Sequence, residues 1–123
     1  AADGTFHAEA DVVAYSQSTN SDRRLKEDIN PIQYGLKEVL KINPVKYKWI
    51  EKRGGKEDIG VIAQDIEKII PEIVQENKAL NSDKMIKSVD YGKMVAVLIK
   101  AVQEQQEQIN KLEKQQLQLI LEK

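Results

Sequence analysis

Asp90-Tyr91-Gly92-Lys93-Met94-Val95-Ala96-Val97-Leu98-Ile99-Lys100-Ala101-Val102 opens a stretch that runs to Lys123 without proline and, after Gly92, without glycine. Asp90 suits an N-cap, and the whole stretch beyond it reads as helix. A heptad fits, with Val95, Val102, Ile109 and Gln116 at a and Leu98, Gln105, Leu112 and Leu119 at d. Glutamine and glutamate crowd the remaining positions. At 1.5 Å per residue the helix would extend about 50 Å. An amphipathic arm of that length is marginal alone in water, so the pattern predicts association with further copies along Val95, Leu98, Val102, Gln105, Ile109, Leu112 and Leu119. The competing arrangement folds the helix back on its own core. Val and Ile at a with Leu at d leave dimer and trimer open. Gln105 is a polar seam residue of the kind that fixes register.

Upstream of that helix the blocks are short and mixed. Asn30 and Pro31 suit a helix start, and Ile32, Leu36, Val39 and Leu40 fall on one helical face before Asn43-Pro44 stops the run. Val45, Tyr47 and Trp49 alternate with Lys46 and Lys48 as a strand. Arg53-Gly54-Gly55-Lys56 turns the chain into a second strand around Ile59–Ile62. Ile62, Ile66, Ile69 and Ile70 form another short helical face ended by Pro71. Ile73–Gln75 and Met85–Val89 read as a second hairpin. The expectation is an α+β core of about 70 residues over 21–89, followed by a long coiled-coil helix over 90–123.

Residues 1–20 differ in character. Phe6, Ala8, Ala10 and Val12 alternate with His7, Glu9 and Asp11, the period of a half-buried strand. A single strand cannot bury itself, so this piece reads as the C-terminal end of a larger upstream body, with Ser16–Asn20 as linker. It carries no Lys or Arg and three acids, whereas residues 21–123 carry 19 basic and 17 acidic side chains. A domain boundary near residue 20 is the simplest account.

The 123 residues allow one modest domain. No cysteine is present, which excludes disulfides and thiolate metal sites. The net charge of −1 gives no electrostatic case for nucleic acid or membrane binding. No run approaches the roughly 20 apolar residues of a membrane span. Gly54-Gly55 reads as a turn rather than a phosphate cradle, and the acids are scattered. No metal or cofactor is expected.

The boundary falls on Thr19-Asn20-Ser21-Asp22-Arg23-Arg24-Leu25-Lys26-Glu27-Asp28-Ile29. A serine hydroxyl is a weak nucleophile until a base takes its proton. His7 is the sole histidine and has no acidic partner suited to that task. A neutral lysine is the alternative base. Free lysine titrates near 10.4, so a lysine base needs its value lowered by roughly 2–3 units, and burial and neighbouring cations both push that way. Arg23 and Arg24 lie close in sequence. On a straight α-helix Ser21 and Lys26 would sit roughly 140° apart. A Ser-Lys pair therefore requires a bend between them, or one member from a neighbouring chain. The same residues also read as a plain helix N-cap run.

Three separated stretches resemble one family. Ser21-Asp22-Arg23-Arg24-Leu25-Lys26-Glu27-Asp28-Ile29 looks like its cleavage motif. Ile59-Gly60-Val61-Ile62-Ala63-Gln64-Asp65-Ile66-Glu67-Lys68-Ile69-Ile70-Pro71-Glu72-Ile73-Val74 resembles its internal segment, and Ser88–Val102 resembles the start of its terminal helix. The family is the endosialidase-type C-terminal intramolecular chaperone of phage tail spikes, tail fibres and neck appendages. A related domain occurs in membrane-tethered transcription factors of the myelin regulatory factor kind. The resemblance covers roughly residues 12–123. It implies a homotrimer, its long helix a trimeric coiled coil, that templates the upstream part of its own polypeptide and then cuts itself free, inside a virion precursor assembled in the host bacterial cytoplasm. It implies Ser21 as nucleophile, Lys26 as base, Asn20–Ser21 as the scissile bond, and positioning or oxyanion support from Asp22 and Arg24. A trimeric adhesion tip that never cuts, and a tethered transcription factor's processing domain, are the alternatives.

Overall fold

The computed structural model describes residues 18–79 and 82–123. The strand expected over 6–15, and His7 with it, lies outside the described residues. Among the described residues the architecture is α+β: two separate two-stranded antiparallel sheets, two short α-helices and one long C-terminal helix.

The first sheet pairs β1 (Val45–Lys48) with β2 (Glu57–Gly60), Val45 opposite Gly60 and Lys48 opposite Glu57. The Trp49 N–H extends the ladder by donating to the Lys56 carbonyl at 2.8 Å. Gly54 and Gly55 close the loop at φ 103° and 67°, a left-handed region that costs residues with a Cβ. The second sheet pairs β3 (Val74–Lys78) with β4 (Met85–Val89), Val74 opposite Val89. Lys87 of β4 donates to both carboxylate oxygens of Glu67, at 2.8 and 2.9 Å, and faces Glu76 at 3.8 Å. The Glu67 hydrogen bond, aided by both carboxylates' charge, raises the Lys87 pKa above the ordinary lysine value.

Between the two sheets in chain order, α2 (Ala63–Glu67) and the 3₁₀ turn Pro71–Ile73 carry the core. Ile66 and Ile70, one helical turn apart, are 1% exposed, and Ile73 joins them. They pack on α3 (Tyr91–Leu121) through Met94 and Val97. Burying each such side chain contributes about 1.5–3 kcal/mol. Asp90 caps α3 as its sequence implied, its carboxylate accepting from the Lys93 N–H at 3.2 Å.

The helix expected after Asn30 is shorter than its sequence pattern implies. Only Leu36–Val39 form α1. Asn30 does not cap it: the Asn30 amide donates to the Asp28 carbonyl at 2.8 Å, with Asp28 itself at φ 50°. Tyr34 then donates to Glu72 at 2.8 Å and ties the chain across the core before the helix begins. Leu40, expected on the buried face, is exposed, whereas Val39 and Ile42 pack on the core. Ile62 likewise stays outside α2 as its N-cap.

The start of α1 is held from far along the chain. The Gly35 N–H donates to Glu38 at 2.8 Å, and the Leu36 N–H donates to Oε1 of Glu104 on α3 at 2.9 Å. A Cβ at Gly35 would overlap that Glu104 oxygen and lie 2.9 Å from its Cδ. Gly35→Ala therefore displaces Glu104 and leaves an α1 N–H without its charged acceptor. The expected loss is about 2 kcal/mol of unfolding free energy, read by denaturant titration. Glu104→Ala, which removes the same bond without the overlap, is expected to lose no more.

The first turns of the helix fold back on the core, and the rest projects beyond it. Met94, Val97 and Ala101 are buried against the core, while every residue from Gln105 to Lys123 is exposed. Val95, Leu98 and Val102 lie one position round from the buried set and remain 52%, 42% and 64% exposed. At about 1.5 Å per residue, the 31 residues of α3 reach roughly 46 Å.

Candidate active site

Ser21 and Lys26 meet. Their side chains are 2.7 Å apart, Lys26 Nζ donating to Ser21 Oγ. Neither a straight helix nor a second chain produces this contact. The chain enters extended at Asp22 (φ −69°, ψ 133°), makes a single 3₁₀ turn over Arg23–Leu25, and leaves extended at Lys26 (φ −124°, ψ 147°). The Leu25 N–H donates to the Asp22 carbonyl at 3.0 Å, and the Lys26 N–H donates to the Arg23 carbonyl at 3.1 Å. Ending the turn after three residues, rather than continuing as α-helix, removes the 140° separation and lets the long lysine stem reach back.

Asp22 supplies the reason that the turn forms here. Its Oδ1 accepts from the Arg24 N–H at 2.8 Å, the N-cap bond of the turn. The same oxygen accepts from Arg24 Nε at 3.1 Å, and Oδ2 accepts from Arg24 Nη2 at 2.9 Å. The Arg24 side chain and then its backbone N–H hold the Asp22 carboxyl below the usual carboxylate range. The same pairing raises the Arg24 guanidinium. One aspartate thus caps the turn and grips the guanidinium fork.

Asn20 and every other residue from Ser18 to Gln33 are exposed in the single chain. Beside this segment a groove of about 480 Å³ runs between Pro31–Tyr34, Ile70, Glu72 and the Lys93–Val97 side of α3. Its tyrosine and glutamate are bonded to each other. That bond is the first cause raising the Tyr34 pKa. Among the described residues no cluster of three or more His, Cys, Asp or Glu side chains could hold a metal ion. No helix there is long and apolar enough to cross a membrane.

Sequence spacing alone missed the 3₁₀ turn and the Asp22–Arg24 pairing that organises it. The available signal was an N-cap residue two positions before an arginine, inside a run too short to continue as helix.

Comparison with known proteins adds an independent line. Residues 21–75 match the family described as chaperone of endosialidase, and the match begins at the serine of this site. The chain is 34% identical over 115 residues to a long tail fiber protein Gp37 of Enterobacteria phage M1, covering 89% of this chain and 45% of that protein. It is 29% identical over 113 residues to the long tail fiber protein Gp37 of Enterobacteria phage K3, covering 89% of this chain and 9% of that protein. The chain thus spans less than half the length of the curated relatives it matches.

Proposed function

We propose, from the premise that residues 21–75 belong to the chaperone-of-endosialidase family, that this chain assists folding of an upstream phage fibre body and then severs itself at Asn20–Ser21. The observation that carries the reading is the 2.7 Å contact between Ser21 and Lys26 at the first residues of the family match. Similarity to tail fibre proteins favours a fibre as the upstream body over a tethered transcription factor.

The cut uses the nucleophile that follows the scissile bond. With its amine neutral, Lys26 accepts the Ser21 hydroxyl proton, and Oγ attacks the Asn20 carbonyl carbon. The carbonyl carbon–nitrogen bond breaks, and the proton passes to the departing Ser21 α-amine. Asn20 is then esterified to Ser21 Oγ. Water attacks that ester, releasing the Asn20 carboxylate and restoring the hydroxyl. The atoms balance with one water consumed.

Exposure makes the reaction conditional. A lysine amine in water stays protonated, and Ser21 and Lys26 are both open to solvent in the single chain. Assembly into a homotrimer along Val95, Leu98, Val102, Gln105, Ile109, Leu112 and Leu119 brings neighbouring cores alongside and strips water from the pair, which favours the neutral amine. The long helix also gathers chain ends before slow, non-local fibre contacts form, raising the local concentration of the strands to be registered. Cutting after assembly leaves the fibre without its nucleus and kinetically trapped. The boundary between residues 20 and 21 would then separate virion component from released helper.

Mass spectrometry of the assembled chain tests this reading. The expected product begins at Ser21 with a free α-amine. Hydroxylamine added during the reaction should convert the Asn20 carboxyl to its hydroxamate by intercepting the ester. A chain that assembles yet stays intact on prolonged incubation would mark a non-cleaving structural tip instead.

A further inference from the structure

We propose that Asp22 and Arg24 are positioning residues, a clasp that sets the Lys26 amine against the Ser21 hydroxyl, and that Arg24 does not bind the oxyanion. The inference rests on the dyad reading above and decides between the two roles that the motif leaves open for these residues.

The geometry separates those roles. Both Asp22 carboxylate oxygens are engaged by Arg24, and both the Nε and Nη2 faces of the guanidinium are engaged by Asp22. An oxyanion donor must be free and aimed at the developing charge before the reaction. Arg24 keeps three further N–H groups, but its two charge-assisted bonds to Asp22 fix where they point, so aiming them at the oxyanion would mean breaking the clasp's geometry. The clasp does act on the dyad through the backbone. Oδ1 also fixes the Arg24 N–H, and the turn so capped ends in the Lys26 N–H bond to the Arg23 carbonyl. Ser21 lies on the entering side of that turn and Lys26 on the leaving side. The distance between them is therefore set by whether the turn holds.

The pair is also poorly placed to help by bulk electrostatics. The Asp22 and Arg24 side chains are 44% and 88% exposed, and exposed pairs contribute little as charges. Their contribution is geometric, where small misplacement is costly in rate.

The test is a double-substitution cycle on the full chain, reading the rate of Asn20–Ser21 cleavage against pH. Asp22→Ala should slow cleavage about tenfold and Arg24→Ala about threefold, consistent with loss of a cap and of a fork. The double variant should be no slower than Asp22→Ala, because both changes remove one device. Asp22→Asn, which keeps an acceptor for the Arg24 N–H, should recover most of the rate. The pH inflection of the rate should not move in any of them. Losses that multiply in the double variant would overturn the proposal, since Arg24 would then act independently of Asp22. A shifted inflection would overturn it too, by making Asp22 a modulator of the base. Should the parent chain itself fail to cut, the dyad reading fails while the positional claim is still judged by NMR. Contacts between Lys26 ε-protons and Ser21 β-protons should be present in the parent and lost in Asp22→Ala, and their persistence in that variant refutes the clasp.

Discussion

Lys26→Arg will leave the chain uncut at Asn20–Ser21, as completely as Ser21→Ala does. Arginine keeps the positive charge, the reach and the capacity to donate to the Ser21 oxygen. It cannot give up its proton at any accessible pH. If Lys26 served only to hold Ser21 in place, arginine would preserve much of the activity. If it accepts the hydroxyl proton, the substitution removes the base and leaves the geometry. The expected loss is at least about a thousandfold, the scale on which single members of a nucleophile–base unit fail. Lys26→Ala should match it, because neither variant has a base. Intact mass after incubation of assembled protein reads the result directly. A Lys26→Arg chain that cuts within tenfold of the parent rate would remove lysine from the chemistry.

The reach of the sequence over this fold differs with the range of the forces involved. Asp90 and the unbroken run behind it announced α3, because capping and helix continuity are local. Gly54-Gly55 announced the first hairpin's turn, because only glycine enters that backbone region cheaply. Ile66 and Ile70 announced a buried face by their one-turn spacing. The shortness of α1 was not legible. It follows from Tyr34 reaching Glu72 and from Glu104 reaching the Leu36 N–H, contacts 38 and 68 residues apart in sequence. No local pattern encodes such partners. The site lies between these cases. Ser21 and Lys26 were visible as residue types, but their α-helical spacing argued against contact. The departure arises from an aspartate cap and a turn of only three residues, a competition between 3₁₀ and α geometry that spacing alone does not settle.

Placing glutamate at Leu98 and Val102 together is expected to abolish assembly and, with it, cleavage. The core takes its contacts from Met94, Val97 and Ala101, whereas Leu98 and Val102 lie on a face turned by about 100° and are exposed in the single chain. The fold of residues 21–104 should therefore survive the change, with far-UV dichroism losing only the helical signal of the projecting arm. In an assembled seam each of these side chains contributes roughly 1.5–3 kcal/mol by burial. The change removes that from every copy and sets like charges against one another across the axis. Light scattering should fall from the mass of the assembly to that of one chain. Gln103→Glu with Gln106→Glu, off the seam on the same helix, supplies the charge control and should leave mass and cleavage unaltered. The paired readout separates two ideas. If the double glutamate chain is monomeric and still cuts at the parent rate, the dyad needs no neighbour. If it remains assembled, the seam of Val95, Leu98 and Val102 is wrong and the copies meet elsewhere. Loss of both together is what a base buried by its neighbours requires, because an exposed amine retains its proton and the serine beside it stays inert.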